Sequence, residues 1–205
     1  MRSFFVGTLV LFAIGFFGGV PARAISLTLV PSAPVVTVGE TVDVAVQISG
    51  LGDGAPPSLS TFDVEMNFDP AILALNAISY GDPLLGDQLD LLGIGSVTST
   101  TVGSGLVGFS EISLDSPDIL DLFQAGEFTL ATATFVAAAS GGSLLGLTVN
   151  VLGDANGDPL VAAISDGSIA VVPEPSTLLL VGVAFVGAVV VRKKRWNSSV
   201  AAKTN

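Results

Sequence analysis

Thr41-Val42-Asp43-Val44-Ala45-Val46-Gln47-Ile48 is the stretch that decides the fold. Val42, Val44, Val46 and Ile48 fall on one side of an extended chain, and Thr41, Asp43, Ala45 and Gln47 on the other. A period of two marks a half-buried strand with one wet face; wound as a helix, the same residues would scatter Asp43 and Gln47 around the circumference. The pattern returns at Phe62 to Asp69, where Phe62, Val64, Met66 and Phe68 oppose Asp63, Glu65, Asn67 and Asp69. Outward from these two, strands are expected at Ile25–Val30, Ile72–Ser79, Ile94–Val102, Leu106–Ile112, Phe128–Ala137, Leu144–Leu152, Leu160–Ile164 and Ser168–Val172. Gly103-Ser104-Gly105 reads as a tight hairpin, Asp166-Gly167 as a type I′ turn, and Asn156-Gly157 as a second turn of that kind. Asp115 to Gln124, with Pro117 near its start, has room for one short helical turn. Short strands punctuated by glycine turns predict an all-β fold, an antiparallel β-sandwich or jelly roll.

The charge pattern is lopsided. The chain has 18 acidic and 7 basic residues, yet no lysine or arginine lies between Ala24 and Val191. A segment with acids and no bases cannot neutralise phosphates, which excludes nucleic acid as a partner. Anionic polymers could be reached only through bridging cations. Cysteine and histidine are both absent. There is therefore no disulfide framework, no thiolate or imidazole metal site, and no Ser-His-Asp or Cys-His nucleophile. Without a domain lysine, Schiff-base chemistry is excluded as well. Paired carboxylates such as Asp63 and Glu65 are the one catalytic arrangement left, and nothing separates them from solvent-facing charges. The chain reads as non-enzymatic, with a carboxylate-dependent glycoside hydrolase as the competing catalytic reading.

Both ends carry addresses. Arg2 precedes an apolar run from Phe4 to Phe17, and Pro21-Ala22-Arg23-Ala24 offers small residues at Ala22 and Ala24. This is the order of a signal peptide, residues 1–24, cut by signal peptidase after Ala24. At the other end Pro173-Glu174-Pro175-Ser176 precedes an apolar run from Leu178 to Val191, closed by Arg192-Lys193-Lys194-Arg195. At about 1.5 Å per residue that run falls short of the ~30 Å hydrocarbon core. Ser176 and Thr177 can extend it on one side and the snorkelling basic side chains on the other, with Trp196 near the interface. The positive-inside rule then keeps the basic cluster and residues 197–205 cytoplasmic and leaves residues 25–172, one domain, on the exported side.

Calcium is the one metal the sequence invites. Asp154, Asn156 and Asp158 set oxygen ligands at alternate positions around a turn. Counting from Asp154, Pro159 falls sixth and Ser165 twelfth, so the glycine and glutamate of an EF-hand are missing. A polar hairpin turn is the expected role, and no cofactor is expected. Tyr80, the single tyrosine, could stack on a sugar, but a strand-end tyrosine is more often packing.

Two resemblances follow from these residues. Val36-Thr37-Val38-Gly39-Glu40-Thr41-Val42-Asp43-Val44 resembles the opening of cohesin domains, and Phe62 to Leu75, with Asp69-Pro70 and Leu73, resembles the next cohesin block. Leu130 to Phe135 and the segment from Gly157 to Ile169 are similar to the later strand and closing hairpin. The resemblance implies a jelly roll of about nine strands, shared with certain carbohydrate-binding modules. It also implies recognition of a protein or polysaccharide through an exposed sheet face, here Asp63, Glu65 and Asn67, or Thr41, Asp43 and Gln47. Pro173, Glu174 and Pro175, the short apolar run and Arg192, Lys193, Lys194 and Arg195 (residues 173–196) resemble the PEP-CTERM sorting signal. That resemblance implies an exosortase as processing partner, passage through the inner membrane, and delivery to the cell surface or biofilm matrix. The tail after Trp196 is longer than usual for this signal, which keeps a permanently anchored single-pass adhesin as the alternative.

Overall fold

The computed structural model describes residues 24–174. The expected signal peptide, Pro175, the apolar run, Arg192, Lys193, Lys194, Arg195 and the tail lie outside the described residues. Eleven strands and one short helix fill the described span. In chain order the first strands are β1 Ser26–Pro31, β2 Val35–Thr37, β3 Thr41–Ser49, β4 Leu59–Asn67 and β5 Leu73–Tyr80. There follow β6 Ser96–Gly103, β7 Leu106–Ser113, α1 Pro117–Phe123, β8 Glu127–Ala137, β9 Gly141–Asp154, β10 Ala163–Ser165 and β11 Gly167–Val172. They form two sheets, a five-stranded one in the order β10-β1-β3-β8-β5 and a six-stranded one in the order β2-β11-β9-β4-β7-β6.

The two sheets exist because the sequence alternates. On β3, Val42, Val44, Val46 and Ile48 are buried; on β4, Phe62, Val64 and Met66 are buried. These rows face each other across the sandwich with Leu27, Phe109, Phe128, Leu130, Phe135, Leu145 and Ile169 between them. Phe68 continues the β4 row and meets Phe135 edge-on, with ring centroids 4.8 Å apart. Burying such rows from both inner faces is what stabilises a domain that has no disulfide and, among the described residues, no cation to pair.

Three expectations are corrected. The sandwich has eleven strands and its sheets are mixed rather than purely antiparallel, because β10 runs parallel to β1 and β11 parallel to β2. β2, three residues long, is too short for alternation to register in the sequence, and the strand expected at Leu160–Ile164 is instead the three-residue β10 at Ala163–Ser165. Asp166-Gly167 is not a type I′ turn, since neither residue has positive φ. The chain there crosses from β10 in one sheet to β11 in the other, and Asp166 Oδ1 accepts the Leu147 N–H at 2.9 Å. At Asn156-Gly157 only the glycine has positive φ, so that turn is also of another type.

Other local expectations hold. The β6–β7 hairpin closes through Ser104-Gly105, where Gly105 has φ +76°. A Cβ on Gly105 would stand 2.8 Å from the Phe68 carbonyl, so the position needs glycine twice over. The short helix lies within Asp115–Gln124, starts with proline in its first turn, and closes through the Gln124 N–H to the Leu120 carbonyl.

Candidate functional site

The outer face of the five-stranded sheet carries a groove of about 560 Å³. Its floor is the solvent-facing row of β3, Asp43, Ala45 and Gln47, flanked by Thr132 and Thr134 of β8 and Ser79 of β5. Thr134 Oγ1 donates to Asp43 Oδ1 at 2.6 Å, a cross-strand bond fixed by the register that sets Asp43 opposite Thr134. One end is walled by Gly81, Asp82 and Pro83, where β5 gives way to a long loop over residues 81–95. Beyond Asp82 a second hollow of about 390 Å³ shares Gln47 with the groove and is bordered by Leu84 and Leu85. Leu84 is 93% exposed, so the groove ends in uncovered apolar surface.

Asp82 fixes that end. Burial alone would raise its pKa, but the N–H groups of Leu84, Leu85 and Thr129 outweigh it and hold the carboxyl below its ordinary range. The Asp82 bonds to these three groups are 2.8, 3.0 and 2.9 Å.

The two faces named from the sequence lie on opposite outer surfaces, since β3 and β4 belong to different sheets. Thr41, Asp43 and Gln47 share the five-stranded face, and Asp43 and Gln47 enter the groove. Asp63, Glu65 and Asn67 line the other face, where Asn150 Nδ2 donates to Asp63 Oδ1 at 3.2 Å. The calcium candidates Asp154, Asn156 and Asp158 do meet at one turn. Asp154 Oδ1 there accepts the N–H groups of Asn156 and Asp158 at 2.9 and 2.8 Å, so that oxygen caps its own backbone. Among the described residues no group of three potential metal ligands converges.

Tyr80 is a latch rather than a platform. Standing on β5, it donates its hydroxyl to the Ser99 carbonyl of β6 at 2.5 Å and lies 2.9 Å from Thr100 Oγ1. Its ring meets Phe109 edge-on at 6.4 Å. One side chain thereby ties the free edges of the two sheets together.

Sequence reasoning missed the carboxyl cluster under the 81–95 loop. Glu111 is 1% exposed, and Ser96 Oγ donates to its Oε1 at 2.5 Å. Burial, together with the nearby Asp87 and Asp90, pushes its pKa up to about 7 against the Ser96 bond. Asp87 and Asp90 hold the loop by accepting the N–H groups of Leu89 and Gly95, each at 2.9 Å. Asp115 Oδ2 accepts the Leu91 N–H at 2.7 Å, while its Oδ1 is buried without a protein partner. The signal was present: in Val107-Gly108-Phe109-Ser110-Glu111 the glutamate shares the core-facing parity of Val107 and Phe109. Gln124 was also missed. Buried at the end of α1, it accepts the Leu59 N–H and donates to the Leu59 and Gln88 carbonyls.

The comparisons with known proteins agree with this architecture. The PEP-CTERM protein-sorting motif matches residues 171–195, beginning in the last strand and passing through Pro173 and Glu174. No curated protein matches the sequence. Solved structures match the fold. A chain of a type I cohesin–dockerin complex from Clostridium thermocellum superposes with a TM-score of 0.58 at 11% identity, covering 73% of this chain and 100% of that one. The cohesin module of a Clostridium perfringens family 33 glycoside hydrolase gives 0.56 at 16% identity, over 74% and 99% of the two chains. A non-cellulosomal cohesin from the archaeon Archaeoglobus fulgidus gives 0.53 at 15% identity, over 75% and 95%. The chain carries the PEP-CTERM protein-sorting motif, and its domain has the cohesin-like β-sandwich fold.

Proposed function

We propose that the protein is an exported, non-enzymatic surface or matrix component whose sandwich binds a partner protein after sorting by an exosortase. The observation that carries this reading is the join at the carboxyl end: β11 ends at Val172, and Pro173 and Glu174 follow at once within the matched motif. A folded binding domain is thus attached directly to a sorting signal. The amino end supports the same topology, since β1 begins at Ser26, next to the expected signal-peptidase site after Ala24. The apolar run after the motif would hold the chain in the membrane during processing, with Arg192, Lys193, Lys194 and Arg195 on the cytoplasmic side.

The groove over Asp43, Gln47 and Asp82 is the surface assigned to the partner. Several of these cohesins were solved in complex with dockerins, which makes a protein the leading class of partner here. Chemistry points the same way, because the groove ends in exposed Leu84 and Leu85 and its one aromatic, Tyr80, has its hydroxyl engaged with β6. A polysaccharide partner is the second reading, favoured by the hydroxyl-rich floor of Thr132, Thr134 and Ser79. The test is capture from surface and matrix extract by the wild-type chain, by Gln47→Arg with Leu84→Asp, and by Glu65→Lys on the opposite face. Loss with the first variant alone supports the groove. Loss with Glu65→Lys alone moves the site to the six-stranded sheet.

A further inference from the structure

The six-stranded sheet ends in β6, and β6 has none of the devices that blunt an edge strand. The other edges are short or irregular: β2 and β10 have three residues each, and β5 breaks register between Leu75 and Ala77. β6 pairs with β7 in unbroken register over all eight residues, from Ser96 opposite Ser113 to Gly103 opposite Leu106. Its sequence, Ser-Val-Thr-Ser-Thr-Thr-Val-Gly, has no charge and no proline, and Val97 and Val102 are 54% and 61% exposed.

The hairpin fixes which backbone groups are free. A two-residue turn between Gly103 and Leu106 makes those two a hydrogen-bonded pair, so Gly103, Thr101, Ser99 and Val97 address β7. Thr98, Thr100 and Val102 then turn their N–H and C=O groups outward, and none of these groups has a backbone partner elsewhere among the described residues.

We propose that β6 is a self-association edge: two copies of this chain pair β6 to β6 antiparallel about a two-fold axis through Thr100, joining their six-stranded sheets into one. Thr100 then faces its own copy, and Thr98 faces Val102, with the outward amides and carbonyls of each strand satisfied by the other. Face parity is kept, because a two-fold axis normal to a sheet pairs only positions of equal parity. Every cross-strand pair is Ser, Thr, Val or Gly, so no like charges meet. The nearest outward carboxylates, Asp63 and Glu65, stand on β4, two strands inside the edge. Between copies they are separated by about five strand spacings, roughly 24 Å. That is well beyond the ~8 Å over which charge acts at physiological salt. The Ser96 end, near Asp87 and Asp90, meets the uncharged Ser104-Gly105 turn of the other copy. This edge belongs to the sheet opposite the partner groove, so both surfaces can be occupied together.

The test is sedimentation and light scattering of the full chain in detergent, as wild type, Thr100→Pro and Thr98→Lys. Thr100→Pro removes an outward N–H and leaves the β7 ladder whole; Thr98→Lys adds charge at the joint without touching the backbone. The expected result is a dimer at physiological salt, at least tenfold weaker association in each variant with the β-sandwich retained in circular dichroism, and slowed hydrogen exchange at Thr98, Thr100 and Val102 only in the dimer. A wild-type chain that stays monomeric up to its solubility limit would overturn the proposal. So would a dimer indifferent to both substitutions, or protection of these amides by a lysine-rich extended peptide while the chain remains monomeric.

Discussion

Single residues decide how this acidic domain responds to pH. Glu111 lies in the core with no cation to pair among the described residues, and its pKa rises from an ordinary 4.5 to about 7. Between those values the folded chain holds a proton that the unfolded chain has released, so stability falls as pH rises through that window. Thermal melts from pH 4.5 to 8 should show that decline, and Glu111→Gln should flatten it. An unchanged slope in the variant would remove Glu111 as the cause. Asp82 acts in the opposite sense, because its carboxyl is held below the ordinary 3.8 and its contribution is lost only as pH falls past that range. Tyr80 offers a cleaner residue test. Tyr80→Phe keeps the ring against Phe109 but loses the hydroxyl bonds to Ser99 and Thr100, and should cost about 1 kcal/mol in denaturant melts. These roles differ in how far the sequence reveals them. The core-facing parity of Val107 and Phe109 marks Glu111 once it is looked for, whereas nothing local to Tyr80 tells that β6 of the other sheet would lie within reach of its hydroxyl.

At the scale of elements, the strands that alternate were readable and the others were not. β3 and β4 declare themselves because each buries one face and wets the other, and the β6–β7 hairpin because its glycine permits the turn. β2 escapes notice because three residues carry no period and because it pairs in parallel with a strand remote in sequence, and β10 lies at the end of the expected Leu160–Ile164 strand rather than along it. Asp166-Gly167 misleads for a related reason: a hairpin dipeptide can equally mark a crossing between sheets, and only the tertiary pairing decides which. The groove was half legible, since Asp43 and Gln47 follow from the β3 alternation, while Asp82 enters through a loop that no periodicity describes. Two element-scale results are expected. Gly105→Ala should destabilise by more than about 1 kcal/mol, through its positive φ and the Phe68 carbonyl, measurable as a shifted urea midpoint. Thr101→Pro should cost about 1–3 kcal/mol by orphaning a ladder partner on β7, where Thr100→Pro at the outward position keeps that ladder and costs no more than its side-chain contact with Tyr80, about 1 kcal/mol.

The whole molecule is organised by the separation of its charges. All 18 acids lie between Glu40 and Glu174, and all 7 bases lie at or before Arg23 or at or after Arg192. An anionic sandwich flanked by cationic, apolar ends suits a domain carried across a membrane and trimmed at both borders. Its β-strands begin at Ser26 and end at Val172, which places both borders where trimming would leave the core intact. The most direct measurement is mass spectrometry of the protein's own termini after separating cytosol, membrane and surface or matrix fractions. The account predicts a surface or matrix form that starts at Ile25 and ends near Glu174. Recovery of the chain from the cytosol, with Met1 and Asn205 both retained, would contradict it.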